Sequence, residues 1–378
     1  MECKPLKEVA QIIMGQSPDS SSYNEVGEGL PFFQGNADFG VMYPSERIWC
    51  NQPKKIANEN DILISVRAPI GALNYANKKC CIGRGLAAIT VKNPVERNYI
   101  FHLLKAKNAE LKRQGTGSTF KAIGKNVLED ILVPIVSSET QLHITRLMDI
   151  TESIISKRKK ELKYYDELIK ARFVEIFGDP VYNQMKWKTK ALDDICKIIV
   201  DCPHSTPQYT NDDTGYMCIR TSIVKKNRIL WDEIEYISQN EYLQRIQRKK
   251  PEKGDVIYTR EGAILGIAAV IDRDCDVALG QRSMLLSPDR TKCTSEFLSV
   301  AMNFDSFLNN ALRGVSGSAS PHINVGDIKS FKMILPPIEQ QIEYSKVVSQ
   351  INKSKSVVQK SLKQTQLLFD SLMQQYFG

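Results

Sequence analysis

The sequence predicts an α+β fold in which two mixed α/β domains are joined by two long helices that pack as an antiparallel coiled coil. Three observations support this prediction. The second half of the chain repeats the first with a shift of about 200 residues. Each copy opens with short β-branched runs separated by Gly, Pro and Asn. Each copy closes with a long segment that lacks Gly and Pro and has apolar residues at helical spacing.

The repeat is clearest at the ends of the two copies. With a shift of 200 residues, identical residue types coincide at Ile123 and Ile323, Glu139 and Glu339, Gln141 and Gln341, Lys160 and Lys360, and Phe177-Gly178 and Phe377-Gly378. Earlier in each copy the register drifts, but the order of features is kept, and Arg67 is matched to Arg260. Ordered matching over most of the chain indicates a duplication.

The first domain is predicted over residues 1–136 and the second over residues 179–336. In the first domain, β-branched runs bounded by turn residues predict strands at Asp61–Val66, Leu86–Val91 and Ile131–Val136. Residues 93–113 have helical spacing instead, and the residues that can share one face are Tyr99, His102, Leu103, Ala106 and Leu111.

The long helices are predicted over residues 137–178 and 337–378. The second shows the alternating four-three spacing of a heptad seam, at Ile351, Lys355, Val358, Leu362, Thr365, Phe369, Leu372 and Tyr376. The first follows a less regular series, Ile144, Leu147, Ile154, Leu162, Tyr165, Ile169, Phe173 and Ile176. Such helices cannot bury an apolar stripe alone, so we expect them to pair. In the alternative arrangement, each helix packs only on its own domain.

Composition excludes several classes of protein. Hydrophobic residues make up 42% and charged residues 25% of the chain, which is typical of globular proteins. The net charge of +8 mildly favours binding to polyanionic partners. Nine cysteines without a C-x-x-C pair argue against a disulfide framework or a thiolate zinc site and favour the cytoplasm. No apolar leader or long apolar run occurs, so we expect neither secretion nor membrane insertion.

Catalytic signatures are missing from the sequence. Cys81-Ile-Gly83-Arg84-Gly85 contains G-x-G, but no third glycine follows and the flanking runs predict strands. Neither Asp179–Tyr182 nor Leu335–Ile338 matches the Asn/Asp-Pro-Pro-aromatic loop of an amino-methyltransferase. The sequence has no phosphate-binding G-x-x-x-x-G-K-[ST] loop, and its four histidines are scattered. We therefore predict no catalytic centre, no metal site and no cofactor in this chain.

Polar loops are the candidate binding elements. Asn, Gln and Arg side chains can contact base edges, whereas Ser, Thr, Lys and backbone amides suit phosphates. Two Gly-rich loops, at 115–120 and 314–320, recur in both copies, although they can also be read as simple flexible turns. The candidate DNA-binding residues are Gln34, Asn36, Arg67, Arg84, Ser118, Thr119, Lys121, Arg220, Thr221, Arg260, Arg282, Ser318, Ser320 and His322.

Two segments carry a specific family resemblance. DILISVRAPIGALNYANKKCCIGRGLAAI at 61–89 and LPPIEQQ at 335–341 resemble the type I restriction-modification specificity subunits. The order of domain, helix, domain, helix is similar to that family over essentially the whole chain. The resemblance implies that each domain is a target-recognition domain that reads one half of a split, asymmetric duplex DNA sequence. It also implies that the helices set the half-site spacing and dock two modification subunits.

The same resemblance implies that the chemistry belongs to partner subunits. The modification subunits would methylate adenine with S-adenosylmethionine, and motor-nuclease restriction subunits would use ATP and Mg. The two copies differ at Arg67-Ala-Pro and Arg260-Glu-Gly, so we expect them to read different sequences. One alternative is a coiled-coil scaffold or assembly protein that does not bind DNA. Another is an enzyme with a built-in methyltransferase, which would bind S-adenosylmethionine as an isolated chain.

Overall fold

The structure, a computed structural model, describes residues 2–117, 121–262, 264–313 and 322–378. The chain forms two compact units. Unit 1 comprises Met1–Lys159 and Gln359–Gly378, and unit 2 comprises Lys160–Val358. Each unit therefore contains one α/β domain and a part of both long helices. The division into four segments expected from the sequence remains a prediction.

The elements of the first copy follow the predicted order. Its strands are β1 (Cys3–Pro5), β2 (Gln11–Met14), β3 (Tyr23–Asn24), β4 (Leu30–Phe33), β5 (Trp49–Cys50), β6 (Ile56–Ala57), β7 (Ile62–Ser65), β8 (Leu73–Tyr75), β9 (Cys80–Ile82), β10 (Leu86–Thr90) and β11 (Leu132–Pro134). Its helices are α1 (Leu6–Val9), α2 (Pro94–Ala106), α3 (Asn108–Gln114), α4 (Lys125–Glu129) and α5 (Ser138–Phe177).

The second copy has the same plan. Its strands are β12 (Thr189–Ala191), β13 (Cys196–Asp201), β14 (Tyr209–Thr210), β15 (Met217–Ile219), β16 (Val224–Lys225), β17 (Arg228–Ile229), β18 (Glu235–Ile237), β19 (Val256–Thr259), β20 (Ala268–Val270), β21 (Val277–Leu279), β22 (Ser283–Pro288) and β23 (Lys332–Ile334). Its helices are α6 (Leu192–Ile195), α7 (Gln239–Arg245), α8 (Ser295–Met302), α9 (Asp305–Leu312), α10 (Val325–Lys329) and α11 (Ile338–Phe377).

The main antiparallel sheets of the two units correspond strand by strand, whereas the second sheets differ, with five strands in unit 1 and four in unit 2. Unit 1 has an antiparallel sheet in the order β2-β10-β7-β8, and unit 2 has its equivalent in the order β13-β22-β19-β20. Beside each lies a second sheet with one parallel pair, β4 with β9 in unit 1 and β15 with β21 in unit 2. The pairs β1-β11 and β12-β23 also match. This shared topology supports the duplication predicted from the sequence.

The central strands are buried on both faces, which explains their β-branched, apolar runs. In β7, Ile62 and Ile64 belong to one apolar cluster while Leu63 belongs to the cluster on the opposite face. In β19, Val256 and Tyr258 face one cluster and Ile257 another. Alternation with a period of two is what a pleated strand imposes on its side chains.

The two 40-residue helices, α5 and α11, bury equivalent faces. In α11 the predicted seam is buried or half-buried at every position. In α5 the less exposed face follows the same spacing, through Ile144, Met148, Thr151, Ile155, Arg158, Leu162, Tyr165, Ile169, Arg172 and Ile176. The prediction that Ile154 lies on this face was wrong, since Ile154 is exposed and Ile155 is buried. Subtracting 200 from the residue numbers of the α11 seam gives the positions observed on the less exposed face of α5 from Thr151 to Ile176.

Each unit buries segments from both helices. In unit 1, Phe377 at the end of α11 packs against Tyr99, with ring centroids 5.2 Å apart, in the cluster that also holds Ile144 of α5. In unit 2, the Tyr344 hydroxyl of α11 donates to the Ile169 carbonyl of α5 at 3.1 Å. The alternative arrangement, in which each helix packs only on its own domain, is therefore wrong.

Candidate nucleic-acid interface

Backbone hydrogen bonds bring four loops of unit 1 together at one end of its strands. Gly83 N–H donates to Phe33 O at 2.8 Å, and Val66 N–H donates to Gly85 O at 2.9 Å. The carbonyl of Val66 in turn accepts from Ile123 N–H at 2.9 Å. We call the loops at 34–36, 66–69, 83–85 and 121–123 edge 1.

Edge 1 requires a glycine at one position. A Cβ on Gly85 would lie 2.4 Å from Gln34 O, a backbone atom that has little freedom to move. This close approach sets the 83–85 turn against the 34–36 loop. The glycine of the Gly83-Arg84-Gly85 motif therefore serves packing between loops, since the turn joins two strands, β9 and β10, and does not open a helix.

Edge 1 carries most of the DNA-binding side chains predicted for unit 1. Gln34, Arg67, Arg84 and Lys121 are exposed, and Asn36 is half-buried at the start of a short 3₁₀ turn. Within the described part of the chain, Arg67, Arg84 and Lys121 make no ion pair. Three cations and the Gln34 amide are thus exposed on this surface, which suits an anionic, base-bearing ligand.

Unit 2 builds the same backbone frame. Gly280 N–H donates to Ile219 O at 2.9 Å, Arg260 N–H to Arg282 O at 3.1 Å, and Ile323 N–H to Arg260 O at 2.9 Å. We call the loops at 220–222, 260–262, 280–282 and 322–323 edge 2. Matching these bonds with those of edge 1 makes Arg260 the equivalent of Val66, and Arg282 the equivalent of Gly85. The sequence match of Arg67 with Arg260 was therefore wrong by one residue.

Each arginine of edge 2 has an acidic partner. Arg220 Nε lies 2.8 Å from Glu235 Oε2, although its N–H does not point at that oxygen, and its guanidinium lies 5.5 Å from the Tyr209 ring centroid. Arg282 Nε lies 3.8 Å from Glu261 Oε1. Edge 2 therefore has less uncompensated positive charge than edge 1.

Arg260 is the clearest departure from the predicted DNA-binding set. The residue is only 7% exposed, and its guanidinium is paired with Asp201, so it is not available to a ligand at the surface. The physical reason is the one-residue shift. Val66 packs its side chain inward in unit 1, and Arg260 occupies the same inward position.

The remaining predicted DNA-binding residues either lie at edge 2 or fall outside the described residues. Thr221 is half-buried at the start of a 3₁₀ turn, and His322 is exposed and forms a β-bridge with Glu261. Ser118, Thr119, Ser318 and Ser320 lie outside the described residues. The sequence reasoning missed Gln281 of edge 2, which is the equivalent of Arg84. It also missed Ser17, which lies next to edge 1 and whose hydroxyl accepts from Arg84 N–H at 3.3 Å.

Both units contain buried cysteines. Burial raises the pKa of the Cys81 thiol to about 11 and those of Cys196 and Cys218 to about 12, so these thiols are poor nucleophiles. No group of three or more His, Cys, Asp or Glu side chains that could hold a metal ion occurs within the described ranges. In those ranges, too, no helix has the length and apolar character that a membrane crossing requires.

Comparisons with known proteins agree with this architecture. A solved type I restriction-modification S subunit from M. genitalium matches over 100% of this chain and 96% of its own, with a TM-score of 0.61 at 14% identity, which shows a shared fold. The MjaVIII specificity subunit of Methanocaldococcus jannaschii is 22% identical over 301 residues, 76% of this chain and 71% of that relative.

A higher identity is confined to one part of the chain. The MjaX specificity subunit of the same organism is 45% identical over 152 residues, which are 40% of this chain and 36% of that relative, so the match spans about a third of the relative's length. The family model for the type I restriction modification DNA specificity domain matches residues 1–164 and 184–365, that is, both copies. The chain therefore belongs to the family of type I restriction-modification DNA specificity domains.

Proposed function

We propose that the chain is the DNA-specificity subunit of a type I restriction-modification complex. Unit 1 reads one half of a bipartite duplex target with edge 1, and unit 2 reads the other half with edge 2. The proposal depends on the repeated loop frame, which presents Gln, Asn, Arg and Lys side chains in edge 1 and Arg, Thr, Gln and His side chains in edge 2. Such side chains read base edges and neutralise phosphates, and two different sets suit two different half-sites.

The chemistry of the complex belongs to its partners in this proposal. Modification subunits methylate adenine with S-adenosylmethionine, and restriction subunits supply ATP- and Mg-dependent translocation and cleavage in a cytoplasmic complex. This chain then contributes recognition and needs no cofactor. An isolated chain that bound S-adenosylmethionine would contradict this division of labour.

Exposed apolar side chains on the long helices are the proposed docking points of the modification subunits. Ile150 and Ile154 of α5 are 58% and 37% exposed, and Tyr164 and Leu168 are 63% and 50% exposed. Both pairs have the i, i+4 spacing that a partner helix can cover. Ile150→Asp with Ile154→Asp should abolish co-purification of a modification subunit. Val26→Asp, at an 80% exposed residue before β4, is the matched control.

The experiment that tests recognition uses the purified chain with its modification subunits. Duplex binding is measured by fluorescence anisotropy at several salt concentrations, and the target is mapped by sequencing methylated adenines. We expect two specific half-sites, and a log Kd that rises linearly with log salt. A coiled-coil scaffold without DNA contact would show neither result.

The spacing between half-sites gives a second test. We propose that the helix pair sets this gap, so inserting seven residues, one heptad, at equivalent points of α5 and α11 lengthens the pair by about 10 Å. At about 3.4 Å per base pair, the gap should grow by about three base pairs. A methylation map with an unaltered gap would disprove the spacer role.

A further inference from the structure

A buried ion pair lies behind edge 2. Arg260 Nε and Nη2 lie 2.9 and 3.0 Å from the two carboxylate oxygens of Asp201. The two side chains are 8% and 12% exposed. Arg260 Nη1 also donates to Ile323 O at 3.5 Å. All three guanidinium nitrogens are therefore engaged inside the protein, and none faces the surface of edge 2.

This pair connects several loops of unit 2. Asp201 is the last residue of β13, and its Oδ2 lies 3.1 Å from Nε2 of the exposed His204. The Asp201 carbonyl accepts from Arg248 Nη1 at 3.3 Å. Arg260 lies in the loop after β19, where its backbone bonds to Arg282 and Ile323. One charged pair thus fixes the loop after β13 relative to the three loops that carry Arg260, Arg282 and Ile323.

Unit 1 has apolar residues, Met14 and Val66, at the positions equivalent to Asp201 and Arg260. Met14 pairs with Ala87 across β2 and β10, as Asp201 pairs with Met284 across β13 and β22. Val66 is the backbone equivalent of Arg260. Both Met14 and Val66 pack in the main apolar cluster of unit 1. The fold therefore has no need of a charged pair at these positions.

Stability alone does not account for the charged pair. Removing two charges from water is costly, and replacing a buried ion pair by well-packed apolar side chains is often neutral or stabilising. A bidentate arginine–carboxylate pair, however, fixes both distance and orientation, which apolar contacts do not. The pair therefore suits a role in holding loop geometry.

We propose that Arg260 and Asp201 are positioning residues for the half-site that unit 2 reads. They act through the loops that carry Arg282, His322 and His204, and they do not touch DNA themselves. This inference rests on the proposed function, and it assigns to Arg260 a role different from the base or phosphate contact expected from its residue type.

The test replaces Asp201 and Arg260 of unit 2 with the apolar residue types found at Met14 and Val66 of unit 1. Asp201→Met, Arg260→Val and the double variant are each assembled with the modification subunits. Thermal unfolding is followed together with DNA binding to the mapped target, and to targets with base changes in one half-site at a time. Arg282→Ala, at an exposed residue of the same edge, reports what the loss of a direct contact looks like.

Each single variant leaves one buried charge without its partner, so we expect both to lower the Tm by about 5 °C or more. The double variant should recover the wild-type Tm, because it copies Met14 and Val66. It should nevertheless discriminate against base changes in one half-site at least about tenfold less well, as loss of one well-placed base contact would produce. Discrimination in the other half-site, and the salt slope, should stay unchanged.

Two results would overturn the inference. If the double variant discriminated against base changes as well as the wild type does, Arg260 and Asp201 would only fill space in the protein interior. A salt slope lowered by about one in the double variant, as expected for Arg282→Ala, would make Arg260 a direct phosphate contact. A wild-type complex without sequence-dependent binding would instead overturn the proposed function, and this inference with it.

Discussion

The two edges share a backbone frame and differ in electrostatics. In edge 1, Arg67, Arg84 and Lys121 are exposed and make no ion pair within the described ranges. In edge 2, Arg220 and Arg282 have partners in Glu235 and Glu261. The frame consists of main-chain hydrogen bonds, which do not depend on side-chain type. The same backbone frame therefore carries different side chains in the two units.

This difference has a consequence for DNA binding under the proposed function. Free cations release counterions from DNA when they contact phosphates, whereas cations that already have an acidic partner must first exchange it. We expect edge 1 to supply most of the salt-dependent affinity. Edge 2 should contribute less to the salt dependence, because Arg220 lies beside Glu235 and Arg260 is buried with Asp201.

The largest effect is expected from breaking the frame itself. Gly85→Val places a Cβ about 2.4 Å from the Gln34 carbonyl oxygen, so the 34–36 loop must move. We expect a loss of about 3 kcal/mol in the free energy of unfolding, at the upper end of overpacking effects, and loss of recognition of one half-site. Chemical denaturation and binding to half-site variants measure both.

Edge 2 provides the control for this prediction. Arg282 takes the place of Gly85, is exposed, and has a φ of +70°, a conformation that favours glycine. Arg282→Gly should therefore keep or raise stability while it removes one charge. If Gly85→Val proved as mild as Arg282→Gly, the close approach of Gly85 to the Gln34 carbonyl would not constrain edge 1.

The next effect concerns a single cation of edge 1, Arg84. Arg84→Ala should weaken DNA binding by about 1–3 kcal/mol if Arg84 reads a base, and should lower the salt slope by about one if it contacts a phosphate. Its equivalent in edge 2 is the uncharged Gln281, so Gln281→Ala should leave the salt slope unchanged. Equal slopes for the two variants would contradict the assignment of salt dependence to edge 1.

The local sequence pattern was sufficient to predict the secondary structure of the repeated parts of the chain. The strands β7 and β10 and both long helices follow from periodicity, and the heptads of α11, shifted by 200 residues, locate the buried face of α5. Arg260 could not be placed this way, because its partner Asp201 is 59 residues away in the chain. Asn60-Asp61 and Gly254-Asp255 directly precede the equivalent strands β7 and β19, and counting strictly from the two aspartates would have matched Arg260 with Val66.

A smaller effect, of opposite sign, is expected at Arg220. Glu235→Gln removes the acidic partner and leaves Arg220 free beside Tyr209. Partly exposed ion pairs contribute about 0.2–1 kcal/mol, so we expect binding to tighten by about two- to fivefold and the salt slope to increase. Anisotropy titrations against the intact target measure both quantities, with Glu233→Gln, a carboxylate without an ion pair in the described ranges, as control.

The smallest effect is expected at the looser pair. Arg282 Nε and Glu261 Oε1 lie 3.8 Å apart, 1.0 Å farther than the atoms of the Arg220 pair, and the Arg282 side chain is 49% exposed. Water and salt screen such a pair, so Glu261→Gln should tighten binding by less than about twofold. The test compares how much Glu235→Gln and Glu261→Gln each tighten DNA binding. If Glu261→Gln had the larger effect, ion pairing in the free chain would not determine how strongly each arginine of edge 2 contributes to binding.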